Sequence, residues 1–226
     1  MVLEARGEWD AAEAVYDAIL AKAPSHEGAH KRKIAMLRCV IRVHAARLGG
    51  SHAAACVRRS RGKLALAAAA LVEYLDTFQA DADAWLELAD VYTCLGLYRQ
   101  AAFCWQELVA AAPGAGPWHC AYAQVLATLG DADALRLAQK HYAAAVELSD
   151  GRDARALYGA VAAAGALQRL QATAKKGDPA PPPKGAADEM AALAAQRLEQ
   201  LYAAHAPDKA PFAAAAIAAV GPTQAK

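Results

Sequence analysis

An all-α solenoid of stacked helix pairs is the fold class this sequence predicts, and three observations predict it. Hydrophobic residues make up 57% of the 226 residues but aromatics only 7%. The apolar volume is therefore alanine-rich, which suits helices packed at close range. One block of apolar, small and turn residues spans a period of about thirty-four, the mark of a repeat architecture. Parts of that block return upstream and downstream in the same register.

The complete copy is ADAWLELADVYTCLGLYRQAAFCWQELVAAAP. Trp85, Leu88, Ala89, Tyr92, Gly96, Tyr98, Ala101, Trp105, Leu108 and Pro113 stand in it at the spacing W-x2-L-G-x2-Y, then A-x3-F, then P. That is the pattern of a tetratricopeptide repeat, a helix pair stacked into a right-handed superhelix. Trp85, Leu88 and Tyr92 share one face of a first helix, and Ala89 and Ala101 let the second helix approach. Gly96 turns the chain and Pro113 ends the unit. The register assigns Trp85, Tyr92 and Trp105 to the inter-helix core rather than to an aromatic binding box.

The other elements follow in order. GEWDAAEAVYDAILAKAP puts Gly7, Trp9, Ala12, Tyr16, Ile19 and Pro24 in the places of Gly96, Tyr98, Ala101, Trp105, Leu108 and Pro113. This is the second half of a repeat, so Met1 is expected to stand partway through a first helix, as in a shortened fragment or incomplete gene model. The next repeat has a first helix from about Glu27 through AHKRKIAML and a second in RGKLALAAAALVEYLDTF, with Gly62, Leu64, Ala67, Leu71 and Tyr74 in register. Between Leu37 and Gly62 the pattern expects three residues and the chain has twenty-four. This insertion, about residues 38–61, carries arginines and no acidic residue. A surface loop absorbs such length cheaply, and a tolerated loop or translated unspliced sequence is favoured over a basic arm for anionic lipid heads or acidic proteins. A further repeat carries Tyr122, Ala123, Leu126 and Gly130, then Ala138, Tyr142 and Ala145. Three surplus residues between Gly130 and Ala138 predict an atypical corner. DARALYGAVAAAGAL opens a closing helix. The predicted layout is thus a solenoid over 1–170, a Pro/Gly/Lys linker over 171–187, C-terminal helices over 188–220 and a frayed tail over 221–226. Asp188 is the predicted cap of the first C-terminal helix.

Charge and cysteine usage bound the function. With 24 Lys+Arg against 23 Asp+Glu, the whole chain offers no field for a polyanion, so nucleic acid is not an expected partner. The five cysteines are scattered without C-x-x-C spacing, which fits buried thiols in a reducing compartment. The N-terminus lacks a signal-peptide core. The apolar runs, about a dozen residues at most, fall short of the ~20 that span a bilayer.

Residues 26–30, HEGAH, spell H-E-x-x-H, the zinc-protease signature. Their surroundings argue against it: Pro24, Ser25 and Gly28 put His26 in a turn and leave only His30 in the helix. Met36 stands where the extended motif needs a third histidine. No phosphate loop and no nucleophile elbow are present. No enzyme activity, cofactor or metal is therefore expected. A carboxylate-clamp co-chaperone would need Lys, Asn and Arg lining the repeat groove. Its places fall near Leu86, Asp90, Cys120 and Gln124, which is the wrong chemistry.

The order of AAEAVYDAIL, HKRKIAM, EYLDTF, DAWLELADVY, YRQAAFCWQEL, the surplus after Gly130 and RALYG resembles the subunit 2 family of the endoplasmic reticulum membrane protein complex. The likeness covers about residues 7–165 apart from the insertion. It implies a non-catalytic cytosolic scaffold, peripheral on the cytosolic face of that membrane, whose partners are other subunits of the complex. Membrane association would come through those partners, and the transmembrane and tail-anchored clients that such a complex inserts into the bilayer would be served indirectly. The resemblance aligns Lys31, Arg32 and Lys33 with a KRK stretch of the family, and these are the candidate partner-binding residues. The alternative is a generic tetratricopeptide-repeat adaptor or co-chaperone for soluble proteins.

Overall fold

The computed structural model describes residues 8–36, 53–173 and 186–222, together with Leu3 and Arg6. All elements among the described residues are helical: α1 (Trp9–Lys22), α2 (27–36), α3 (Ala53–Thr77), α4 (Ala82–Leu95), α5 (Tyr98–Ala111), α6 (Gly116–Leu129), α7 (Ala132–Leu148), α8 (Ala154–Thr173) and α9 (Ala186–His205). A 3-10 turn over Pro207–Lys209 and α10 (Ala210–Val220) follow. The chain divides into two compact units, Met1–Cys104 and Trp105–Lys226.

In the first unit Ala12 and Tyr16 of α1 meet Ala29 and Met36 of α2 in one cluster, with Leu3, Ile19 and Leu20 packed against it. Helix α3 packs on α4. It buries Ala67, Ala68, Ala70, Leu71, Tyr74 and Leu75, and α4 buries Ala84, Leu88, Ala89 and Val91. Each large apolar side chain removed from water in this way contributes about 1.5–3 kcal/mol. Ala89 and Ala101 are fully buried. Gly96 ends α4 in the left-handed conformation, φ 76°, with the Leu97 N–H donated back to the Tyr92 carbonyl. Gly7 and residues 37–52 lie outside the described residues. The tail of the basic segment does not: α3 starts at Ala53, so residues 53–61, expected as loop, are helical. AAACVRRSR contains no Gly or Pro and is rich in helix formers, and helix simply continues through Gly62.

In the second unit α6 packs on α7, α7 on α8 and α8 on α9, while α10 touches both α8 and α9. Here the predicted atypical corner is absent. Gly130 (φ 77°) and Asp131 join α6 to α7 in two residues, as Gly96 and Leu97 join α4 to α5. The three surplus residues instead lengthen α7 to 17 residues against 14 in α4, α5 and α6. Three residues are nearly one turn, so the added turn keeps Ala138, Tyr142 and Ala145 on the buried face. Helix α9 begins at Ala186, so Asp188 lies inside its first turn rather than at its cap. Residues 174–185 and 223–226 lie outside the described residues.

Candidate protein-interaction site

The residues of HEGAH have structural partners. His26 is the cap of α2: its Nδ1 accepts the Ala29 N–H at 3.1 Å. His30 is buried, packs its ring edge-on to Tyr74 at 5.7 Å, and donates from Nε2 to the Pro24 carbonyl at 2.8 Å. The same contact recurs along the chain. Trp85 donates its indole N–H to the carbonyl of Gln79, and His119 donates from Nε2 to the carbonyl of Pro113, at 2.8 and 3.0 Å. In each case a ring N–H reaches back six residues to the carbonyl that closes the preceding repeat. The first turn of one helix pair is thereby tied to the end of the previous one. Sequence reasoning missed this clamp, although Pro-x5-His occurs twice and Gln79-x5-Trp85 keeps the spacing. Trp85 is accordingly only half-buried, with its ring edge-on to exposed Phe103 at 6.1 Å. Tyr92 is half-buried, whereas Trp105 is buried.

Replacing His30 with alanine is expected to cost about 1–2 kcal/mol through the lost carbonyl contact, with purified protein carrying no stoichiometric zinc before or after. Urea titration and metal analysis check both. Stoichiometric zinc lost in the variant would restore the metalloenzyme reading. Among the described residues no group of three or more His, Cys, Asp or Glu could hold a metal ion.

The KRK stretch lies on α2, and its two ammonium groups reach across to other elements. Lys31 Nζ contacts Glu27 at 2.8 Å and Asp81 at 2.9 Å and stands 5.9 Å from the Tyr74 ring centre. Hydrogen bonds donated first to Glu27 and then to Asp81 push its pKa upward. Lys33 pairs with Asp17 of α1 at 2.6 Å. Asp81 organises the junction. Its Oδ1 accepts the Asp83 and Ala84 N–H groups, capping α4, while its Oδ2 accepts the Tyr74 hydroxyl at 2.8 Å and faces Lys31. Burial alone would raise the Asp81 pKa, but Lys31 and Tyr74 outweigh it and hold the carboxyl below its usual range. Lys31, Ile34, Leu71, Tyr74 and Glu87 line a cleft of about 230 Å³ over this junction.

In the second unit a histidine pair joins α6 to α7. His119 Nδ1 and His141 Nδ1 are 2.9 Å apart. The Pro113 carbonyl fixes the proton of His119 on Nε2, so His141 donates to it, and Tyr122 packs edge-on to His141 at 4.6 Å. Burial first, then His119 and Lys140, lower the pKa of His141. The neutral form is therefore favoured by folding. Stability is full above the ordinary histidine pKa near 6.5 and falls as pH drops from there through the folded value, because the unfolded chain binds the proton first. Thermal midpoints between about pH 8 and pH 5 are expected to fall more steeply for the native chain than for His141→Gln; parallel slopes would remove His141 as the cause. Cys120 is buried, and burial, then Asp153, pushes its thiol up to about 11, which leaves it inert.

Helix pairs closed by left-handed glycines, small buried residues at Ala89, Ala101, Ala123 and Ala138, and ring clamps at the joints define a tetratricopeptide-repeat protein. The fold is shared with solved structures of MamA (TM-score 0.55, 13% identity, 91% of this chain and 95% of that one) and of YrrB, described as a TPR protein with an unusual peptide-binding site (TM-score 0.53, 16% identity, 90% and 82%). Residues 51–146 match the profile of the EMC2 TPR-like repeat domain, so the chain carries a domain of that kind. It is 33% identical over 156 residues to ER membrane protein complex subunit 2 of Xenopus tropicalis, covering 69% of this chain and 45% of that relative. The chain thus spans about half the length of the curated relatives it matches.

Proposed function

We propose that this chain is a non-catalytic scaffold subunit of the endoplasmic reticulum membrane protein complex, held on the cytosolic face of that membrane by its partner subunits. In this role it supports the insertion of transmembrane and tail-anchored proteins without acting on them chemically. The observation that carries this reading is the family match over residues 51–146, together with the name of the 33%-identical relative. The fold supports it, since stacked helix pairs present extended surfaces for other proteins. Among the described residues no helix is long and apolar enough to cross a membrane, so attachment is assigned to partners. In this reading Lys31, Arg32 and Lys33 contact a partner subunit, while Lys31 and Lys33 also pair with Asp81 and Asp17.

The test is a tagged purification of the chain from gently solubilised membranes, with co-purifying proteins identified by mass spectrometry. A stable set of endoplasmic reticulum membrane proteins is the expected result. Recovery of soluble chaperones alone would replace it with the generic adaptor reading.

A further inference from the structure

Helix α10, APFAAAAIAAV, carries no charged residue, yet none of its residues is buried. A helix apolar on every side normally lies inside a core. Phe212 at its start is 76% exposed. The other end is well seated. The Arg169 guanidinium donates to the Val220 carbonyl, and Gly165 of α8 supplies a flat spot where a β-carbon would overlap that carbonyl. Helix α10 is thus fixed at its C-terminal end and contributes its first turns to an open cleft of about 610 Å³, with Tyr158, Leu198, Tyr202 and Phe212 in its walls. This volume lies within the range of built binding pockets.

A second cleft of about 500 Å³ adjoins it and shares Ala154 and Tyr202. Its character differs. Arg152, Arg197 and His205 line it, Lys209 lines the first, and no acidic residue lines either among the described residues. Arg197 lies against Gly151, a left-handed residue (φ 66°) in the turn between α7 and α8, and among the described residues it bonds only Gln200, at 3.4 Å. Arg152 pairs with Asp150 at 2.9 Å, but both are 76% exposed, and such a surface pair holds its charge weakly.

We propose that these two clefts together bind a segment of a partner protein that inserts large apolar side chains beside Phe212 and sets carboxylates against Arg197 and Arg152. The concave wall favours a polypeptide over a lipid surface, because an interfacial helix lays a convex apolar face into a bilayer, whereas here the aromatic rings surround a hollow. The basic lining selects acidic neighbours for the apolar anchors and rejects basic ones. The inference does not rest on membership of the membrane complex, since the residues lining both clefts fall outside the matched 51–146 segment. The co-purification and the test below can fail separately.

The experiment selects peptides of about 16 residues from a random display library on the full-length chain, then measures the enriched peptides by fluorescence anisotropy. Enrichment of sequences that combine two or more large apolar residues with Asp or Glu is expected. Binding should weaken roughly tenfold or more in Phe212→Ser and in Arg197→Glu, while circular dichroism stays unchanged, since both side chains are exposed. Added salt should weaken it further. No enrichment, enrichment of basic peptides, or binding indifferent to both substitutions would overturn the proposal. So would phosphatidylserine vesicles bound by the native chain and released by Phe212→Ser, or a dimer in sedimentation that Phe212→Ser dissolves; these outcomes put a membrane or a second copy in the groove.

Discussion

Exchanging Asp81 for alanine is expected to lower stability by about 2–4 kcal/mol, because one carboxylate serves three separate needs. It caps α4 through the Asp83 and Ala84 N–H groups, and losing a cap costs about 0.5–2 kcal/mol. It accepts the hydroxyl of Tyr74, whose side chain is 1% exposed and would keep an unpaired donor, for about another 1–3 kcal/mol. It also balances Lys31 in a contact that solvent screens. Asp81→Asn separates these roles. Asparagine keeps the cap and an acceptor but loses the charge, so it should cost clearly less than alanine. Because the native carboxyl pKa is held below its ordinary value of 3.8, its ionic contribution is present above that value and fades as pH falls through the folded one. The gap between native and asparagine chains should therefore narrow in acid. Urea melts of the three proteins decide it, and an alanine cost under about 0.5 kcal/mol would show that the junction is not a support.

The repeat register was legible because it states which positions must be small, which must turn and which must be large. Ala89, Ala101 and Ala138 are fully buried where the register wants close approach, and Gly96 and Gly130 are left-handed where it wants a corner. What the register could not show was where surplus length goes. Three residues after Gly130 were expected to disturb a corner, yet a helix accepts a turn more easily than a two-residue connection accepts a loop. Likewise the register opened this helix at about Arg61, while the alanine and arginine residues before it extend α3 back to Ala53. The ring clamps were hidden for another reason. They join a side chain to a backbone carbonyl, which has no residue identity, so Pro24, Gln79 and Pro113 accept equally and only the spacing of six repeats. The cleft at Phe212 lay beyond any motif, because it depends on how α8, α9 and α10 meet.

Gly159→Ala is the second large expected loss, about 1–3 kcal/mol from crowding in a packed interior. The residue closes RALYG, one of the stretches by which the sequence resembles the subunit 2 family, and the packing of α7 on α8 supplies a physical reason for glycine there. A β-carbon on Gly159 would overlap the ring of Tyr142 and stand 2.8 Å from its hydroxyl oxygen. Tyr142 is 3% exposed and, as the A-x3-Y partner of Ala138, has its ring held between the two helices. Two effects of opposite sign compete. Alanine in mid-helix is worth up to about 1 kcal/mol over glycine, which would stabilise α8 if the ring could step aside freely. A buried aromatic ring cannot do so without displacing its own neighbours, so crowding is expected to win. A double-mutant cycle with Tyr142→Leu tests the mechanism rather than the sum. Removing the ring creates space that the added methyl partly fills, so the double variant should be more stable than additivity allows. Strict additivity, or a Gly159→Ala chain as stable as the native one, would mean that the ring moves freely. In that case the glycine is not what lets α8 approach α7.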